Sequence, residues 1–284
     1  MAKAADIKAH NFIVNGNHAP LKAILILSWP VVVEQFLSTF VNYADTAMVG
    51  SMGAYATASV SISNPVFMLI AGVSMSLGVG ITALLARAVG AGDIERAKSL
   101  IRHAILLILC IGFPISILTA AFSRLIPLWM HAGADVINHA TQYNLITSAG
   151  RPFAIALMVA GSVFRGCGDT RTPMQVNLVM NVINVVGNYV MINPTHQVLF
   201  LGLPLTIPGL GWQVAGAAAA TSLSQIAAGL TAIILLYRKP WPFRISLKES
   251  YRIDKALLKP VVRISAPAML ERFGLSMAAV VVNA

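Results

Sequence analysis

The sequence predicts an all-α integral membrane protein: one six-helix transmembrane lobe, then a truncated seventh helix that opens a second lobe. Three observations predict it. Hydrophobic residues make up 57% of the 284 positions and charged residues only 11%, with a mean hydropathy of +0.76, whereas soluble domains carry about a quarter charged residues. The charge is confined to short stretches between long apolar runs. A short pattern also occurs twice. Leu21, Lys22, Ser28, Pro30, Glu34 and Phe36 return as Leu258, Lys259, Ser265, Pro267, Glu271 and Phe273, each displaced by 237. Six identities at fixed spacing, including a Pro and a Glu in apolar surroundings, indicate an internal duplication whose second unit stops about one helix in.

At about 20 residues per crossing, the spans fall at residues 23–49, 56–86, 99–122, 138–164, 173–192, 212–237 and 259–284. Asn64-Pro65 is expected to kink the second span. Gly209-Leu-Gly211 followed by Gly216 reads as a tight external turn entering a small-residue helix. It does not fit dinucleotide-binding spacing. The last run has no C-terminal flank, which suggests truncation. The domain organisation expected is a lobe over 1–237, a cytoplasmic linker over 238–258, and the first helix of a C-terminal lobe over 259–284.

Basic residues set the orientation. Alternate flanks hold Lys3, Lys8 and Lys22, then Arg87, Arg96, Lys98 and Arg102, then Arg165 and Arg171, then the cluster from Arg238 to Arg263. The opposite flanks hold only Arg124 and Arg151, so the N-terminus is expected on the cytoplasmic side. The net charge of +10 then reflects topology and attraction to anionic membrane lipids. No nucleic-acid partner is expected, because no basic stripe is interleaved with aromatics on a soluble face. With six spans between the motif copies, the two lobes form a parallel repeat. The connector over 238–255 reads either as an amphipathic surface segment or as a solvated linker. Met1–Pro20 has no signal-peptide pattern. Cys110 in a span and Cys167 in a cytoplasmic loop do not suggest a disulfide. No zinc spacing, Walker loop or nucleophile elbow occurs, and no cofactor is expected.

Polar residues inside the spans carry the functional argument, because an ionisable group near the bilayer centre costs at least about 2.5–3.5 kcal/mol. Glu34 lies roughly 18 Å along the first helix from Lys22, close to mid-bilayer. Asp45 follows eleven residues later, and eleven steps of about 100° bring it back to the same helix face. Burial favours a protonated carboxyl, and a carboxylate beside neutral oxygens equally suits Na⁺. A bland reading stands beside each: Asp45 as an interfacial residue facing water, Glu34 as a structural hydrogen-bond acceptor between helices. Asn177, Asn181, Asn184 and Asn188 form one stripe on the fifth span, fit either for packing between helices or for lining a wet cavity. Pro30 and Pro65 are candidate hinges.

With these residues in view, the chain resembles the multidrug and toxic-compound extrusion (MATE) family of cation-coupled antiporters. The likeness rests on Ser28-x-Pro30 leading to Asp45-Thr46 and Gly50, and on Gly90-Ala-Gly92-Asp93 with Glu95-Arg96-Ala97. It extends to Arg165-Gly166-x-Gly168-Asp169-Thr170-Arg171-Thr172-Pro173, and to Gly209-Leu-Gly211 leading to Gly216 and Thr221. The resemblance implies half of a two-lobe transporter with a V-shaped cleft, working by alternating access in the cell membrane and monomeric at full length. It implies inward H⁺ or Na⁺ exchanged for outward organic, often cationic, drugs. Asp45 falls at the family's first-helix aspartate, Asn184 at its fifth-helix asparagine and Glu271 at its seventh-helix acid. These three matches imply cation or proton coupling at Asp45, Asn184 and Glu271. Together with the polar residues read above, the candidate coupling set is Asp45, Glu34, Asn184, Asn188 and Glu271, and the candidate Na⁺ site is Asp45, Asn184 and Asn188. Asn177 and Asn181 are candidates for the substrate cavity beside their packing reading. Asn188 departs from relatives that have Asp there. A flippase for lipid-linked precursors is the nearest alternative. It is expected to line its cavity with arginines, and the absence of a central arginine from these spans favours cationic cargo. An intramembrane enzyme is disfavoured because His103, His131, His139 and His196 fall near span ends or in loops.

Overall fold

The computed structural model describes residues 20–200, 203–239 and 255–283. Lys3, Lys8 and residues 240–254 of the expected connector lie outside the described residues. Helix α1 is Pro20–Gly50 and α2 is Ala54–Gly90. α3 (Ile94–Leu107) passes through a π-helical turn at Ile108–Gly112 into α4 (Phe113–Ala121). A short α5 (Leu125–Trp129) precedes α6 (Ala134–Gly166) and α7 (Arg171–Ile192). Strands β1 (Pro194–Phe200) and β2 (Leu203–Leu210) follow, then α8 (Gln213–Arg238) and α9 (Lys255–Asn283). Among the described residues, six stretches are long and apolar enough to cross a membrane, α3 and α4 together making one of them (Ile94–Ala121).

The second span starts at Ala54, ahead of Asn64-Pro65, and its helix runs on through Pro65. Two expectations change. The third span is interrupted by the π turn, where the ladder is offset by one residue. The segment between α7 and α8 is an antiparallel hairpin, with Pro194 opposite Leu210 and Phe200 opposite Leu203. Gly211, with φ +65°, makes the turn into α8.

Helix ends on one side of the lobe share a design. At Gly92 (φ +70°) and Gly168 (φ +81°), the next residue's N–H reaches back five positions, Asp93 to the Ala88 carbonyl and Asp169 to that of Phe164, both at 2.9 Å. This Schellman closure needs a left-handed residue, which glycine supplies. Each aspartate then opens the following helix: Asp93 Oδ1 accepts from the Arg96 N–H at 3.1 Å, and Asp169 Oδ1 from that of Thr172 at 3.0 Å. The two Gly-Asp motifs of the sequence are therefore reverse turns with built-in caps.

α6 is the hub. It packs on α2 and α8, and its Val159, Val163 and Phe164 are buried with Leu85, Ile101 and Leu236. Glycines permit the close approaches. A Cβ built on Gly229 would lie 2.7 Å from Phe153 Cα, and one on Gly150 2.8 Å from Ser222 Cα. Lipid tails are as apolar as leucine, so backbone proximity and hydrogen bonds drive such contacts more than hydrophobicity does. α9 lies along α2, where Gly80 faces the Val261 carbonyl and Ser265.

Candidate functional site

α1 is largely exposed and is anchored mainly along α7. Two side-chain bonds set that register. Asn177 Nδ2 donates to Glu34 Oε1 at 2.9 Å, and Asn188 Nδ2 donates to Asp45 Oδ1 at 2.7 Å. Both pairs are 143 residues apart. A constant difference along two helices means that they run in the same direction without slipping. The matched eleven-residue spacings of the acids and the asparagines thus become a two-rung ladder.

At the upper rung, Asp45 meets two amides. Turned to donate, the Asn184 amide nitrogen reaches Asp45 Oδ1 at 3.0 Å and Oδ2 at 2.9 Å. Thr221 Oγ1 on α8 lies 3.3 Å from the far end of that amide, and its hydroxyl both donates and accepts. Asn184 and Asn188 are buried, and Asn188 Oδ1 has no hydrogen-bond partner among the described residues. Asn181, between the rungs, is buried with its Nδ2 likewise unpartnered among them.

The lower rung opens into a cavity of about 790 Å³ between α1, α2, α6, α7 and α8. Its walls are mostly apolar, with Val31, Phe67, Ile70, Met75 and Met158 among them. Glu34 enters it, with Arg165 Nη1 3.9 Å from Oε2. Asn177 and Gln225 also line it.

Arg151 lines this cavity too. Expected on an external flank, it lies instead at the middle of the 33-residue α6 and is 2% exposed. Its guanidinium carbon sits 4.0 Å from the Phe67 ring centroid. Arg165, expected on a cytoplasmic flank, faces Glu34 in the same cavity. The expectation that no arginine occupies the centre of these spans is thereby corrected. Hydropathy averaging hid Arg151, because one charge in a long span barely lowers the mean.

The structure brings Glu34 and Asn177 to the cavity, and Asp45, Asn184 and Asn188 to a separate polar cluster. Asp45 is not part of the cavity wall. Glu271 is exposed on α9 and joins neither group. Pro30 is buried within a continuous α1. Thr221, Phe67, Gln225 and Arg151 were missed as site residues; only Arg151 carried a usable signal, a charge 17 residues into a helix.

A family model described as MatE matches residues 30–190. Relatives include a protein described as probable multidrug resistance protein NorM from Thermotoga maritima, 29% identical over 89% of this chain and 52% of that protein. An FAD transporter from Shewanella oneidensis is 26% identical over 89% of this chain and 53% of its own length. Among solved structures, a MATE protein in complex with MaD3S superposes with a TM-score of 0.83 at 27% identity, over 96% of this chain and 57% of that one. A MOP superfamily transporter from Pyrococcus furiosus, described as having a binding pocket of reverse polarity that suggests a different function, gives 0.83 at 27% identity, over 96% and 56%. The chain spans about half the length of the curated relatives it matches. Since the family model covers more than half of its residues, the chain belongs to the MatE family of multidrug and toxic-compound extrusion transporters.

Proposed function

We propose that this chain forms the ion-coupling lobe of a secondary antiporter that exports small organic molecules from the cell across its membrane, N-terminus inside, in exchange for H⁺ or Na⁺. The observation that carries the proposal is Asp45 held by two rotatable amides, Asn184 and Asn188, within a helix pair. A Staphylococcus haemolyticus relative described as multidrug export protein MepA, 25% identical over 92% of this chain and 55% of its own length, suggests the direction of transport.

Ionised Asp45 accepts N–H donors, so both amides point their nitrogens at it. A proton on Asp45 reverses one of them: the new O–H donates to the Asn184 carbonyl, and the freed amide nitrogen donates to Thr221 Oγ1. Na⁺ prefers oxygens, and the Asn188 carbonyl, without a partner, together with a rotated Asn184 supplies them beside the carboxylate. Either ion removes the charge that holds α1 to α7 at the upper rung and biases α1 toward a second packing. Alternating access then moves the cavity between the two sides of the membrane. Pro30 breaks the α1 ladder four residues before Glu34 and is the place for that helix to bend.

The test is efflux from proteoliposomes of the protein at its native length, with Na⁺ and pH gradients imposed separately. Asp45→Asn is expected to abolish gradient-driven efflux while the protein still reaches the membrane. Efflux that depends on neither gradient, or that survives in Asp45→Asn, refutes the antiport.

A further inference from the structure

We infer that the cavity takes cargo bearing an anionic group, a sulfonate, carboxylate or phosphate, seated on Arg151 with the apolar part of the molecule among the surrounding side chains. The inference rests on the proposed role of the cavity as a cargo site and names the chemistry of that cargo.

Three charged side chains line the cavity: Glu34, Arg165 and Arg151. Glu34 has an opposite charge beside it: Asn177 donates at 2.9 Å to Oε1, and Arg165 Nη1 lies 3.9 Å from Oε2 as an ion pair without a hydrogen bond. Arg165 Nη2 also reaches Ser162 Oγ at 3.5 Å. That leaves Arg151 over, so the cavity wall carries a net charge of about +1. Arg151 is 2% exposed, and its Nε, Nη1 and Nη2 have no hydrogen-bond partner among the described residues. A guanidinium carries five N–H donors in a planar fork. The Phe67 face, 4.0 Å away, attracts the cation and fixes the plane of that fork, but it accepts none of those hydrogens. A buried, unpaired guanidinium is among the costliest groups to keep inside a protein, and it is retained where something in its working cycle accepts the fork. A planar or tetrahedral oxyanion does so with two parallel hydrogen bonds.

The surroundings choose the rest of the molecule. Phe67, Ile70, Ile155 and Met158 give apolar and aromatic contact, and Gln225, whose Oε1 is buried and unpartnered, offers an acceptor for a neutral donor on the cargo. The cavity therefore suits an amphipathic organic anion, either a soluble molecule or the headgroup of a lipid entering from the bilayer. Organic cations, expected from the acids in the sequence, meet a wall whose one negative charge is already neutralised.

Equilibrium binding to the protein at its native length in phosphatidylcholine nanodiscs, with no ion gradient, tests this apart from antiport. Calorimetry compares 2-naphthalenesulfonate with 2-naphthyltrimethylammonium, two probes of one shape and opposite charge. The sulfonate is expected to bind at least tenfold more tightly. Arg151→Gln is expected to remove that preference, Arg151→Lys to keep part of it, and Glu34→Gln to strengthen sulfonate binding a few-fold. Saturable, Arg151-dependent binding of farnesyl phosphate in place of the sulfonate supports the inference with a lipid headgroup as the source. Equal affinity, preference for the ammonium, or a sulfonate preference that Arg151→Gln leaves intact overturns it. If Arg151→Gln does not fold, the wild-type comparison and Arg151→Lys still decide. A protein that binds the sulfonate in this way yet shows no gradient-driven efflux would retain the anion site and lose the antiporter reading.

Discussion

Asp45 and Asn188 are joined by a 2.7 Å hydrogen bond, eleven residues along both helices from the Glu34–Asn177 bond at 2.9 Å. The parallel register of α1 and α7 is written in these two contacts. A helix with so little of its surface buried has little else to fix it. The acids thus have a positional role, and in the proposed mechanism loss of charge at one rung leaves the other as a pivot.

The two rungs are expected to contribute independently to stability, and each rung's two partners to act as one. Asn188→Leu should cut gradient-driven efflux by at least tenfold. Combined with Asp45→Asn it should cost little further stability, because both act on one contact. Asn177→Leu with Asp45→Asn should instead be close to additive. A double-mutant cycle on unfolding midpoints checks both; additivity of the Asp45–Asn188 pair would show that the bond does not hold α1 to α7.

Gly80 sets how closely α9 lies on α2. A Cβ there would sit 2.5 Å from Ser265 Oγ and 2.7 Å from the Val261 carbonyl, so the backbone must move. Gly80→Ala should destabilise by about 1–3 kcal/mol and lower the thermal midpoint. Gly90→Ala, with nothing within 4 Å of the added carbon, should leave it unchanged. Equal midpoints for the two variants would mean that α9 does not dock this way.

Asp169 joins the α6–α7 turn to the end of α8. It accepts from the Thr172 N–H at 3.0 Å and from the Lys239 ammonium, which also lies 5.8 Å from the Phe164 ring centroid. Asp169→Asn removes the charge and weakens the cap, with an expected loss of about 1–2 kcal/mol. Asp169→Asn and Lys239→Met together should cost less than the sum. A denaturation series on the four proteins reads this directly.

Cys167, just past the end of α6, is buried, and burial, with Asp169 adding to it, pushes its thiol up to about 12. The thiolate is the reactive form. Between pH 7 and pH 9 the group therefore stays almost wholly protonated, with a thiolate fraction that is very small although it rises about tenfold per pH unit. Iodoacetamide at pH 8 should label it roughly a thousandfold more slowly than a free cysteine of ordinary acidity, and at the ordinary rate once the protein is unfolded. Mass spectrometry of the labelled peptide measures the difference; prompt labelling of the folded protein would place Cys167 at the surface.

The spans, their order and the acid-bearing face of α1 were legible because membrane burial writes long apolar runs and helical geometry makes eleven residues three turns. The Gly-Asp turns were visible as motifs, although their closure as paired Schellman caps needed backbone angles. The hairpin at residues 194–210 was missed. Its apolar residues resemble span ends, and strand pairing is a contact between two segments that neither shows alone.

By itself the chain determined that Glu34 and Asp45 share one side of the first helix and that four asparagines share one side of the fifth. Tertiary structure alone decided that those sides face each other, that Asp45 belongs to an asparagine cluster while Glu34 belongs to a cavity, and that Arg151 shares that cavity. The physical reason is that periodicity fixes direction around one helix axis, while partnership between charges depends on rotation and register between helices. Those are set by the glycine contacts of α6, α8 and α2, scattered across a hundred and fifty residues of sequence.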